Sequence, residues 1–151
     1  MKDVAAEEAL LASAWLGDNR AMIEQLEERD FVDEFCGWLF RLLSDVVEAG
    51  QPLDMIFVMR RARKPEVLNR LPKGYREGMA GEIARVLTCG CTSAHTEHYF
   101  KVVRTERLNR AIVSLACAMR ERVEAKQEPD AILEFVIMNA EKLAERLEPQ
   151  P

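Results

Sequence analysis

Apolar residues recur along this chain at intervals of three and four, and the pattern predicts helices nearly from end to end. Ala5, Ala9, Ala12 and Leu16 fall on one side of a first helix over residues 5 to 16, with Leu11 and Trp15 beside them. Gly17-Asp18-Asn19 stops it, and Asp18 or Asn19 caps a short second helix through Leu26. Phe35, Leu39, Leu42, Leu43, Val46 and Val47 mark a third helix over 33 to 49, closed by Gly50 with Pro52 beyond it. Asp54 caps a fourth, which carries Met55, Phe57, Val58 and Arg61 and is broken by Pro65. The stretch from Pro65 to Gly78 holds two prolines and two glycines and reads as loop with one helical turn. A fifth helix over about 77 to 88 uses Met79, Ile83, Val86 and Leu87.

The last third of the chain sets the architecture. Ser93 is an N-cap candidate, and from there to Ala125 no Gly or Pro interrupts a run whose apolar stripe includes Leu108, Ile112, Leu115 and Met119. A helix of that length is a rod of roughly 50 Å. A compact domain of this size is only about 38 Å across, so the rod is expected to project from the body. Pro129 starts a final helix through Leu147, with Ile132, Val136, Ala140, Leu143 and Leu147 on one stripe and Leu133, Phe135 and Ile137 alongside. Joined by Lys126-Gln127-Glu128, the two helices predict an antiparallel hairpin whose apolar arc is wider than one partner helix covers. The expected fold is therefore all-α: a globular helical head over 1-104, a projecting antiparallel helical hairpin over 105-147, and a tail over 148-151. A second copy of the hairpin is the simplest cover for the outer flank, giving an isologous dimer. The residues expected at that contact are Leu108, Ile112, Leu115, Met119, Ile132, Phe135, Val136 and Leu143. The alternative is a hairpin folded back on its own head.

Composition narrows the class. With 151 residues, 48% of them apolar and 31% charged, the chain is long enough for one domain with a real core. Four cysteines, Cys36, Cys89, Cys91 and Cys117, follow no disulfide framework, and no basic-then-apolar leader opens the chain. Reduced thiols and a cytoplasmic location are expected. Uncharged apolar runs such as Ala111 to Met119 are too short to span a bilayer, so no membrane contact is expected.

Charge is distributed unevenly. Residues 1 to 35 carry ten acids against three bases, whereas 60 to 76 hold Arg60, Arg61, Arg63, Lys64, Arg70, Lys73 and Arg76 against the single acid Glu66. Two solvated faces would explain this. The sharper reading is a basic patch that meets nucleic acid or an acidic partner. Tyr75 is the one aromatic there, which argues against a platform for stacked bases.

Four motifs, in order, carry a family resemblance. Glu8-Ala9-Leu10-Leu11 followed by Asp18-Asn19 opens the chain, then come Asp30-Phe31 and Leu39-Phe40. Gly50-Gln51-Pro52-Leu53-Asp54 with Val58 follows, and Ser93-Ala94-His95-Thr96-Glu97-His98-Tyr99 leads into Val102-Val103-Arg104. With Ile132-Leu133 and Ala140-Glu141 in the closing helix, this series resembles the N-terminal domain of the bacterial replicative DNA helicase of the DnaB type, over about residues 5 to 147. Ala12 stands where the family usually has Gly, and Cys36-Gly37 where it commonly has His-Arg. The resemblance implies a collar domain that dimerises, sets three dimers around a hexameric ring and contacts primase.

The chain lacks a G-x-x-x-x-G-K-[ST] loop and any strand-helix alternation, so no nucleotide hydrolysis is expected from it. It is read either as a stand-alone product or as the leading fragment of a longer helicase. Cys89, Cys91, His95 and His98 gather four potential zinc ligands within ten residues. Thiolates only two positions apart suit a zinc knuckle poorly, and the resemblance puts an Asn and an aromatic at the histidines, so neither metal nor cofactor is expected. Asp18, Asp30, Asp33 and Glu34 read as a solvated acidic face rather than catalytic carboxylates, and Trp15 and Trp38 as core. The expected function is a non-catalytic assembly module of DNA replication, partnered by itself and by helicase or primase. The alternatives are an adaptor or regulator that binds the cell's helicase or primase, and a DNA-binding protein using residues 60 to 76.

Overall fold

The computed structural model describes residues 3–16, 24–89 and 95–146, and everything regular among them is helical. The helices are α1 (Val4–Leu16), α2 (Glu34–Glu48), α3 (Met55–Ala62), α4 (Pro65–Leu68), α5 (Met79–Leu87), α6 (Thr96–Glu124) and α7 (Pro129–Glu145), with a 3-10 turn at Glu28–Asp30 before α2. The Ser93 cap, Leu147, the tail and most of the expected short helix after Asp18 lie outside the described residues, and the last residues of that helix, Glu24 to Leu26, form a turn and loop that buries Leu26. None of the described helices is long and apolar enough to cross a membrane. A boundary between Arg104 and Thr105 divides the chain into two compact units.

In the first unit, α1 departs from the stripe the spacing suggested. Ala5 and Leu16 are exposed, while Ala6, Glu7 and every residue from Ala9 to Ala14 are buried. The reason is side-chain size. Ala9, Ala12, Ser13 and Ala14 are small enough for neighbours to close on the helix from several sides, and Ser13 folds its hydroxyl back onto the Ala9 carbonyl at 2.7 Å.

Against α1 lies α2, burying Phe35, Trp38, Leu39, Leu42, Leu43 and Val46. Asp33 caps it by accepting from the Cys36 amide at 3.1 Å. Gly37 lets the 3-10 turn close in, since a Cβ there would sit 3.3 Å from the Cγ and carbonyl oxygen of Glu28. At the far end Gly50 takes φ +71°, a left-handed conformation that favours glycine. Its amide donates to Val47 and that of Gln51 to Val46, satisfying carbonyls the ended helix leaves open.

Pro65 does more than break a helix. It restricts Lys64 to extended backbone, at ψ 138°, and then occupies the first position of α4, where its missing N–H costs nothing. In α5, Met79, Ile83, Val86 and Leu87 turn inward. Arg85, on the outer side, joins α5 to α1 through the Glu8 carboxylate, at 2.8 and 3.1 Å, while also holding Glu82. The two carboxylates keep the guanidinium firmly charged.

The second unit contains the C-terminal part of α6 and all of α7. Its connection turns at Lys126, where φ is 58°, and the Gln127 amide donates to the Arg122 carbonyl at 3.1 Å. Arg122 then lies 3.7 Å over the ring of Phe135, a cation–π contact that brings the first turns of α7 back against the last turns of α6.

Candidate functional site

The second unit buries little of its own apolar surface. Of the eight residues expected at a self-association contact, Ile132 is buried and Ile112 exposed. Leu108, Leu115, Met119, Phe135, Val136 and Leu143 are half-buried. Beside them lies a set that the spacing analysis noted only in part: Val113, Val123, Leu133, Ile137 and Met138, which with Ile112 are each more than half exposed. At 100° per residue, Leu115 and Ile132 lie within about 60° of the Arg122–Phe135 contact, and Val136 and Leu143 lie beside Ile132 on α7. Ile112 and Val123 on α6 lie about a quarter turn from Arg122, whereas Leu133 and Ile137 on α7 lie farther round, roughly 160° from Phe135. The signal for them was the over-wide apolar arc of the last helix.

The basic segment is exposed at Arg60, Arg63, Lys64, Arg70, Lys73 and Arg76 and half-exposed at Arg61. Arg70 reaches Asp45 at 3.7 Å and donates to the Glu66 carbonyl at 3.2 Å. Arg60 lies 5.6 Å over the ring of Phe57.

The carboxylates expected to form a solvated face are instead partly structural. Asp30 is buried and accepts from the Glu27 amide at 2.7 Å, and Asp33 caps α2, leaving Glu34 exposed. Glu28, Asp33 and Glu34 do share the rim of an open cleft of about 320 Å³ with Arg70 and Trp38. Asp18 lies outside the described residues. Glu7, which spacing did not single out, is 1% exposed, and its two carboxylate oxygens accept from the amides of Val32 and Asp33 at 3.1 and 3.0 Å. His95 and His98 are both exposed and meet the Tyr99 ring at steep angles. Cys91 is outside the described residues, and among these no group of three His, Cys, Asp or Glu side chains is placed to hold a metal ion.

The sequence profile of the DnaB-like helicase N-terminal domain matches residues 1–105, more than two thirds of the chain. The chain belongs to the DnaB-like helicase N-terminal domain family. Its fold is similar to a crystal structure of the N-terminal domain of DnaB helicase from Mycobacterium tuberculosis, with a TM-score of 0.77 at 21% identity, covering 92% of this chain and 96% of that one. A search of curated proteins finds no match. The structural likeness to the DnaB N-terminal domain thus extends past residue 105, where the profile stops, into the helix pair.

The DnaB-type motifs have plain structural work in this member of the family. Gly50-Gln51-Pro52-Leu53-Asp54 ends one helix with a left-handed glycine and starts the next with an aspartate, whose Oδ1 accepts from Ile56 and Phe57 at 2.8 and 3.2 Å. Glu8 at the opening motif is the partner of Arg85. Cys36-Gly37, the departure from the family's common His-Arg pair, is buried, and at Gly37 even a Cβ would press on Glu28 at 3.3 Å.

Proposed function

We propose that this chain is a non-catalytic assembly module of the replicative-helicase collar type, which self-associates through its helix pair and engages a helicase or primase. The observation that carries the reading is the exposed apolar flank of α6 and α7. On α6, Ile112, Ala116, Met119 and Val123 share one arc, and on α7 Leu133, Ile137, Ala140 and Ala144 share another. In an antiparallel pair these two arcs fall on the same side and form one continuous face. Soluble monomers rarely leave such a face open, because apolar area in water costs roughly 25 cal/mol per Å². A second copy turned by a twofold axis presents the same face in return, so one patch serves both partners. Three such dimers closed into a ring would give the collar that the family implies.

The test is absolute solution mass by light scattering over a concentration series. A dimer, or a dimer rising toward a hexamer, is expected. Ile112→Glu with Ile137→Glu should return a monomer of unchanged helicity, since two unpaired charges would be forced into the interface. A wild-type chain that stays monomeric at every concentration overturns the self-association reading and favours an adaptor that binds helicase or primase singly.

A further inference from the structure

The segment from α3 to α5 is built like a strap. Its apolar residues face inward at Val58, Ala62, Val67, Leu71 and Met79, all buried. Two fixings tie it to α2: Trp38 donates its indole N–H to the Val67 carbonyl at 3.0 Å inside the core, and Tyr75 stacks on Phe35 at 4.7 Å between ring centroids. Gly74, at φ +94°, makes the turn that swings Tyr75 inward while Lys73 stays outside. What remains on the outer side from Arg60 to Arg76 is mostly cationic, with the exposed Glu66 its single acid. Arg70 is engaged with Asp45, but Arg61, Arg63, Lys64, Lys73 and Arg76 have no carboxylate partner among the described residues.

We propose that this outer face, Arg60 to Arg76, is a preformed strip that binds the phosphate backbone of nucleic acid without reading its sequence. Three observations favour phosphate over an acidic protein. Five of the seven cations are arginine, whose planar fork matches phosphate oxygens in pairs. Protein interfaces centre on apolar or aromatic anchors, and within the strip Ala62, Val67 and Leu71 are buried while Tyr75 is spent on Phe35. Finally, the backbone is already held by the core, so binding does not have to order it. With Tyr75 stacked inside, base stacking is not offered, which leaves contacts to the backbone. The chain's net charge of −5 does not oppose this strongly. At about 0.1 M salt, screening over roughly 10 Å leaves the local strip to govern the encounter.

The experiment is fluorescence anisotropy of the full chain against labelled duplex and single-stranded DNA of arbitrary sequence, from low to physiological salt. Contact with about four phosphates predicts a slope of log affinity against log salt near −3 to −4 on duplex, each contact contributing about −0.9. Arg63→Glu with Lys64→Glu should weaken binding more than about tenfold at low salt and flatten the slope by about 2. Lys73→Glu with Arg76→Glu should do the same, as an independent pair should the first fail to fold. Lys142→Glu on α7 is the control and should change affinity less than about twofold. Binding that is absent at low salt, or indifferent to both reversals, overturns the proposal. So does poly-glutamate binding as tightly as DNA at matched salt, which would reassign the strip to an acidic protein.

Discussion

Glu7, which the spacing did not single out, is a carboxylate sealed inside the first unit. A buried carboxylate is tolerated only when its oxygens are satisfied, and here they take two backbone amides at the entry to α2, where the helix dipole also favours negative charge. Glu7→Ala should destabilise the first unit by about 2–3 kcal/mol, because two part-buried amides lose a charged acceptor; urea unfolding followed by circular dichroism reads it. Cys36 lies in the same neighbourhood. Burial first, then the carboxylates of Asp33 and Glu7, push its thiol far above the usual thiol range. At neutral pH, alkylation mapped by mass spectrometry should label the exposed Cys89 and Cys117 and leave Cys36 untouched until the chain unfolds. The same shift sets a sign with pH. The folded state keeps the Cys36 proton where the unfolded chain gives it up, so this group's contribution is fully present below about pH 8.5 and is lost as pH rises further. Stability that rises between pH 9 and 10 would contradict this environment.

At the scale of elements, starts and stops were the most legible part of the sequence. Asp54, Gly50 and Pro129 act through local backbone chemistry, which a short window contains, and the helix over 33 to 49 appears as Glu34–Glu48. Burial was less legible. The stripe chosen for α1 included the exposed Ala5 and Leu16, because a helix of small residues packed on several sides carries no clear one-sided pattern. The one helical turn expected between Pro65 and Gly78 begins at Pro65 itself, since the same ring that ends one helix suits the first turn of another. The strap shows how such elements become fixed. Trp38→Phe keeps the ring but removes the donor to the Val67 carbonyl, and should cost about 1–3 kcal/mol. Hydrogen exchange would show whether residues 65 to 76 loosen first, and protection there equal to wild type would mean that apolar packing alone holds the strap.

At the scale of the molecule, the two units have different needs. The first closes a core around α1, α2 and α5, and its carboxylates are drawn into caps and into the Glu8–Arg85 link. Arg85→Ala should therefore cost only about 0.5–1 kcal/mol, because its guanidinium is half exposed and solvent screens the pair. An unfolding midpoint that fell as far as for Glu7→Ala would show that the α1–α5 contact depends on that ion pair. The second unit leaves six large apolar side chains open, so its stability is expected to depend on protein concentration once a partner covers them. Dilution should lower the thermal midpoint of the wild type, while that of the Ile112→Glu, Ile137→Glu double variant should not move.

By itself the sequence determined the helical class, the stops and starts at Gly50, Asp54 and Pro129, the family motifs and the uneven charge. All of these follow from chemistry between residues a few positions apart or from their order along the chain. Only the tertiary structure decided that Glu7 is sealed against Val32 and Asp33, that Asp30 and Asp33 cap rather than form an open acidic face, and that Tyr75 turns inward onto Phe35. It also showed which apolar residues of α6 and α7 remain exposed. Those outcomes depend on which surfaces meet across long stretches of chain, and a carboxylate or an aromatic ring carries no local sign of the partner it will find there.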